Sequence, residues 1–147
     1  MVAAITSAVR DVRRGWTRAL CAAAGAAAAA FAWGIEVPLL GIRLNVRFGG
    51  MHPQTVVAGQ VIGAALVAGL LGWLLLAVLD RHAPRPRAAW TAAALLVLAV
   101  SPALPAAAAT TTSAAIGLIV LHLAVGAAVI PGMGRTARRP GFPSRDA

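Results

Sequence analysis

The chain has 147 residues, a net charge of +9 in which arginine supplies every basic side chain, 60% hydrophobic residues and 12% charged residues. Soluble domains average roughly 45–50% and 25% in these two classes. A soluble fold of this size could not bury so much apolar surface, so the composition excludes an ordinary soluble domain and indicates a protein of the cell membrane. The arginines lie between apolar runs without an aromatic platform, which argues against nucleic-acid binding.

Four apolar stretches are long enough, or nearly so, to cross the hydrocarbon core as helices, which takes about 20 residues. They cover residues 16–35, 56–79, 88–108 and 113–130. Short turns after the second and third stretches make the last three spans antiparallel neighbours. We therefore predict an all-α fold in which residues 1–147 form a single membrane domain, an integral membrane four-helix bundle with antiparallel helices.

The first stretch has a second interpretation. Arginines, then an alanine-rich run, then Ala30-Phe31-Ala32 also resemble a signal peptide with a cleavage site. Cleavage would leave the other three spans unchanged. The single cysteine, Cys21, lies inside this run, where we expect a small packed residue.

Arginine is distributed unevenly between the two sides of this topology. Eleven arginines lie before or at the start of the first span, in the turn after the second, or in the tail at 131–147, whereas Arg43 and Arg47 lie on the other side. By the positive-inside rule the arginine-rich side is cytoplasmic, so both termini are expected there. We also expect that side to contact anionic lipid headgroups, and the basic tail to be disordered.

The outer segment at 36–55 is the one long connection between predicted spans. Its apolar residues Ile42, Leu44, Val46 and Phe48 alternate with polar ones. This period of two is typical of a half-buried extended strand. The segment is either an extended loop lying on the headgroups with its apolar side down, or a cap over the outer mouth of the bundle.

Small residues mark the expected packing faces, because helices in lipid associate by close contact at such residues. In the second span they form two faces, which predicts neighbours on two sides. One face carries Ala58, Ala65, Gly69 and Gly72, and the other carries Gly59 and Gly63.

The third span contains Ser101, Pro102 and Pro105. Each proline removes an amide from the helix ladder, so we predict a kink near the outer surface. The alternative is a hinge or an opened backbone site.

Ionisable and polar groups at membrane depth are the first candidates for function. His122 lies near the middle of the fourth span, Gln60 in the outer part of the second, and Glu36 at the outer end of the first. We interpret His122 as an interhelical polar clamp, with a proton relay or ligand site as the alternative. Gln60 and Glu36 are interpreted as interfacial or interhelical hydrogen-bonding groups. Asp80 beside Arg81 predicts a solvated ion pair.

No motif for catalysis or cofactor binding is evident. The sequence has no Walker motif, no CxxC, no HExxH and no paired carboxylates within the spans. We therefore predict a protein that is not an enzyme and has neither cofactor nor metal. The leading class is a structural or accessory membrane protein, acting as a homo-oligomer or with a membrane-protein partner. The alternative is a small channel or transporter subunit with a polar path near Gln60 and His122.

Several short motifs between His52 and Arg135 carry a family resemblance. They are Leu79-Asp80-Arg81, Arg87-Ala-Ala-Trp90-Thr91, Ser101-Pro102, Leu121-His122-Leu123 and Val129-Ile130-Pro131-Gly132. The chain resembles a family of small bacterial membrane proteins known as domain of unknown function 6069. The resemblance implies a four-helix membrane protein and brings no activity, substrate or cofactor. The segment from Arg43 to Phe48 lies outside it.

Overall fold

The computed structural model describes residues 2–49 and 52–138. Within these residues, four helical stretches are long and apolar enough to cross a membrane. They are Val12–Leu39, Ala58–His82, Pro86–Ala108 and Thr112–Gly134. The predicted all-α fold with four apolar spans is confirmed. Residues 139–147 of the predicted disordered tail lie outside the described residues.

Five α-helices, one π-helical turn and one short hairpin make up the described chain. In order they are α1 (Val2–Gly34), the π-helical turn (Ile35–Leu39), β1 (Asn45–Val46), β2 (Gln54–Thr55), α2 (Ala58–His82), α3 (Pro86–Val100), α4 (Ala103–Ala108) and α5 (Thr112–Gly134). The first helix begins well before the apolar stretch, at Val2.

The first span ends in a widened turn around Pro38. Proline has no N–H and its ring clashes with the carbonyl four residues earlier, so the α-helical ladder cannot continue unchanged. The Leu40 N–H bonds instead to Ile35 O at 3.0 Å, five residues back. Gly41 then adopts a φ of +66°, a left-handed conformation that glycine reaches without strain, and reverses the chain.

The outer segment folds back onto the helices. Strands β1 and β2 pair antiparallel, with Asn45 opposite Thr55. Leu44 and Val46 are buried and pack with Leu118 and Leu121 of α5, as their alternation with polar residues suggests. The Arg47 N–H also bonds to Ala108 O at 2.8 Å. This geometry favours the cap over the loop that lies on headgroups.

Helix α1 packs against both α2 and α5 along a stripe of alanines. The buried members of this stripe are Ala22, Ala26, Ala29 and Ala32. Small side chains let the helix axes approach closely: a Cβ added to Gly25 would lie 2.5 Å from Val129 Cγ2. Helix α3 packs on α5 and, less extensively, on α2. Helix α2 therefore has an extensive contact with α1 on one side and a smaller contact with α3 on the other.

The prolines near the ends of the third and fourth spans have different effects. The third span is divided by Ser101 and Pro102, which separate α3 from α4, and Pro105 lies inside α4. The fourth span does not stop at Pro131, where the sequence suggested an end, but continues to Gly134. Burial of Met133 against Trp90 and its neighbours stabilises this extra turn despite the missing N–H.

Candidate functional site

An open groove of about 790 Å³ runs between α2 and α3, with α5 as its floor. Phe48 and Gln54 of the outer segment lie at one end, and Trp90 and Ile130 lie at the other. Most of the side chains along it are alanine, glycine, valine and leucine. The groove is therefore a long, mainly apolar depression that follows the helices through most of their apolar length.

Trp90 closes the end of the groove near the α2–α3 turn. Its ring is buried against Gly72, where an added Cβ would lie 2.9 Å from Trp90 Cη2. The indole N–H donates to Ile130 O at 3.3 Å, which fixes the ring between α2 and α5. Only a residue without a side chain at 72 admits the indole, so this glycine determines where α3 meets α2.

His122 lines the groove on its α5 floor. Its Nδ1 lies 2.7 Å from Leu118 O, one turn earlier in the same helix. A carbonyl oxygen only accepts, so this contact requires the proton on Nδ1 and leaves Nε2 of the neutral ring as an acceptor. Within the part of the chain that the structure describes, the hydrogen bond of the ring stays within α5, and the predicted clamp between helices is not seen there.

Gln60 lines the outer part of the same groove. Its Oε1 accepts from the Val57 N–H at 3.2 Å, at the start of α2. This is half of a capping box, because Val57 has no side-chain acceptor to complete it. The structure thus brings Gln60 and His122 to one groove, but each side chain bonds to the backbone of its own helix.

Glu36 lies apart from the groove, at the outer end of the first span. It is 5% exposed, in the π-helical turn. An added Cβ on Gly117 would lie 3.0 Å from Glu36 Oε2 and 2.8 Å from Leu44 Cδ2, so the carboxyl occupies a notch in α5. Both carboxyl oxygens are buried without a hydrogen-bond partner in the described chain. The predicted hydrogen bond between helices is absent there.

A buried ion pair at the opposite end was not anticipated from the sequence. Arg18 of α1 pairs with Asp80 of α2 at 2.5 Å, and both side chains are nearly inaccessible. Arg18 Nε also donates to Thr136 Oγ1 at 3.0 Å, and the Arg138 N–H donates to Asp80 Oδ1 at 2.9 Å. The network joins α1, α2 and the chain after α5.

The predicted ion pair between Asp80 and Arg81 is wrong. Consecutive residues on a helix point in directions about 100° apart, so they do not face each other. Arg81 is exposed, whereas Asp80 faces α1. The signal that could have located its partner is Arg18, a charge two residues inside the predicted stretch at 16–35 that needs a buried counter-charge.

The predicted packing residues divide between two environments. Ala65 and Gly69 pack on α1, where a Cβ on Gly69 would lie 2.8 Å from Ala22 Cβ. Nothing lies within 4 Å of a Cβ added to Gly59 or Gly63. Ala58 is partly buried at the start of α2, and Gly72 faces Trp90. The GxxxG face of α2 is thus open, and the other face carries the contacts.

Over residues 2–49 and 52–138, no three histidine, cysteine, aspartate or glutamate side chains come close enough to hold a metal ion. Cys21 is partly buried, with its Sγ against Gly132 of α5.

Comparison with known proteins places these features in a family. The family model described as "Family of unknown function (DUF6069)" matches residues 9–139. The chain belongs to the DUF6069 family. The match includes the first span and the outer segment, both of which the sequence resemblance left out. No curated protein and no solved structure gives a match.

Proposed function

We propose that this DUF6069 protein is a structural or accessory subunit of a membrane assembly, without enzymatic activity or cofactor. In this proposal the groove between α2 and α3 receives one transmembrane helix from another chain, either a second copy or a different membrane protein. The protein crosses the cell membrane four times with both termini in the cytoplasm. The bacterial source that the family resemblance implies stays a prediction.

The arrangement of charge supports this orientation. Arg18, Asp80 and Arg138 meet at one end of the helices, so the arginines of the N-terminal segment, the α2–α3 turn and the chain after α5 share that end. Arg43 and Arg47 belong to the outer segment at the other end. By the positive-inside rule the first of these ends faces the cytoplasm.

The shape and lining of the groove support the proposal that a helix from another chain binds there. Its walls are open: Leu71 of α2 is 61% exposed and Val97 of α3 is 62% exposed. Alanines at 64, 68, 93 and 94 line the groove between them, so another backbone can approach closely. The Nε2 of His122 supplies one hydrogen-bond acceptor at mid-depth for a donor on the incoming helix.

A channel or transporter subunit is the second candidate, because Gln60 and His122 do line one groove. Two observations favour the docking role. Each of these side chains already bonds to its own helix, and the surface between them, including Val61, Ala65 and Leu121, is apolar. A polar path would need further polar groups from another chain.

Photo-crosslinking tests the docking role directly. A benzophenone amino acid is placed at Leu71 or Val97 in the groove walls, and at Phe31 of α1 as a control that is more exposed than either but lies outside the groove. Irradiation of membranes is expected to give one discrete protein product from positions 71 and 97 and none from 31. The mass of the product distinguishes a second copy from another protein. Lipid adducts alone at all three positions would contradict the proposal.

A further inference from the structure

A second cleft, of about 710 Å³, lies at the N-terminal end of α3 on a different face from the groove. Arg85, Arg87 and Arg138 surround it. The groove takes Trp90, Ala94 and Val97 from α3, whereas the cleft takes Ala88, Ala92 and Leu95. Helix α3 therefore presents one face to each depression, and the two can bind different molecules.

The positive charge of this cleft is not neutralised within the described residues. The guanidinium groups of Arg85, Arg87 and Arg138 form no ion pair or hydrogen bond there, and no acidic side chain lines the cleft. Asp80 holds the backbone of Arg138 through its N–H, but its own charge is paired with Arg18. Three cations thus surround one depression without a counter-ion from residues 2–49 or 52–138.

Backbone donors lie at the same place. Helix α3 begins at Pro86 with no side-chain cap, so the N–H groups of Arg87 and Ala88 have no intrahelical acceptor. Such orphan donors, together with the positive end of the helix dipole, favour an anion. They add directional hydrogen bonds to the attraction of the three arginines.

The remainder of the cleft is apolar apart from Thr91, whose hydroxyl donates to Arg87 O at 2.9 Å. Ala88, Ala92 and Leu95 follow one another at helical spacing along a face of α3 that runs from the arginines into the third span. Free inorganic phosphate would use the cationic end and leave this wall uncovered. A molecule with an anionic head and a hydrocarbon chain matches both parts.

We propose that this cleft binds one anionic phospholipid. The phosphodiester lies among Arg85, Arg87 and Arg138 and the first N–H groups of α3, and one acyl chain lies along Ala88, Ala92 and Leu95. The site uses three of the arginines at this end of the protein. Because it lies on a different face of α3 from the groove, it does not require a helix bound in the groove.

Native mass spectrometry of the purified full chain provides the test. The protein in detergent is mixed with equal amounts of phosphatidylglycerol and phosphatidylcholine, and retained lipid is counted for the wild type and for the triple variant Arg85→Gln, Arg87→Gln, Arg138→Gln. The control triple variant, Arg13→Gln, Arg43→Gln, Arg81→Gln, removes the same charge outside the cleft. Thermal unfolding of each variant shows that it is folded.

The wild type and the control are expected to retain one phosphatidylglycerol with a preference of at least about tenfold over phosphatidylcholine, and the cleft variant to lose the preference. Equal loss in both triple variants would show attraction by net charge alone and overturn the site. Displacement of the lipid by millimolar inorganic phosphate would identify a free phosphate as the occupant and overturn the lipid proposal.

Discussion

The two ends of the protein both bury a charged residue, but they treat it differently. At the arginine-rich end Arg18 meets Asp80 and Thr136, and every partner it needs comes from another segment. At the outer end Glu36 is equally inaccessible, yet its carboxyl oxygens have no partner in the described chain. Removing one member of a paired buried charge is costly, whereas removing an unpartnered polar group relieves a cost. Depth of burial alone therefore does not tell how a charged residue affects stability.

The largest expected effect comes from breaking the network of Arg18, Asp80 and Thr136. Arg18→Met leaves Asp80 buried without its counter-charge, which should lower the free energy of unfolding by about 3–5 kcal/mol. Unfolding by detergent titration, followed by circular dichroism, measures the loss. Arg81→Met is the matched control, because Arg81 is exposed at the same end, and it should change stability by at most about 0.5 kcal/mol. Similar losses in the two variants would mean that the Arg18 ion pair does not hold the helices together.

A steric test separates the two faces of α2. Gly69→Val places methyl groups against the backbone of Ala22 and should lower the free energy of unfolding by roughly 1–3 kcal/mol through overpacking. Gly63→Val has a similar intrinsic effect on the helix but meets open space, so the difference between the two variants isolates the contact with α1. The same detergent titration measures both. A Gly63 variant as unstable as the Gly69 variant would place a neighbour on the open face.

At the outer end, replacing a buried ionisable residue with methionine should raise the free energy of unfolding, whereas Arg18→Met should lower it. Glu36→Met replaces an unpartnered buried carboxyl with an apolar side chain of similar length, so the free energy of unfolding should rise by about 1 kcal/mol. Glu36→Gln keeps a polar group in the notch beside Gly117 and should give a smaller gain. Thermal unfolding in lipid nanodiscs compares the two. A strong loss of stability in Glu36→Met would show that the carboxyl has a stabilising partner.

His122→Leu should have the smallest effect on stability. Among the described residues the ring bonds only to Leu118 in its own helix, so we expect a loss no greater than about 0.6 kcal/mol, the average for polar contacts in membrane helices. His82→Leu is the matched control, since the His82 Nδ1 makes the same type of contact with Val78 O outside the groove. A loss several times larger for His122 would indicate a bond to another helix. Weaker crosslinking from Val97 in the His122 variant would link the ring to docking.

The spans could be predicted from the sequence because the bilayer imposes a length and a polarity that hydropathy records directly. The side of the outer segment that faces the helices could also be predicted, since Leu44 and Val46 alternate with polar residues. The ion pair between Arg18 and Asp80 could not be predicted, because the two residues are far apart in the chain and Arg81 lies next to Asp80. The end of α5 was missed at Pro131 because burial of Met133 outweighs the local signal.

The candidate site was only partly predictable. Gln60 and His122 stand out as polar residues in apolar spans, and the structure does bring them to one groove. The backbone partner of each side chain depends on its rotamer and on the residue at which its helix begins. Neither can be predicted from the sequence. The burial of Glu36 depends on the widened turn at Pro38 and on the notch at Gly117, two features of separate segments that only the folded chain brings together.

Water access at mid-depth tests the central claim, an apolar groove in a protein with four spans. Single cysteines replace Arg47, Arg87 or His122 in a Cys21→Ser background, and a membrane-impermeant thiol reagent is applied to intact cells and to opened membranes. We expect labelling at 47 in intact cells, at 87 only after opening, and at 122 in neither. Labelling at 122 to the same extent as at 47 or 87 would reveal an aqueous cavity, contradict the dry groove and favour transport.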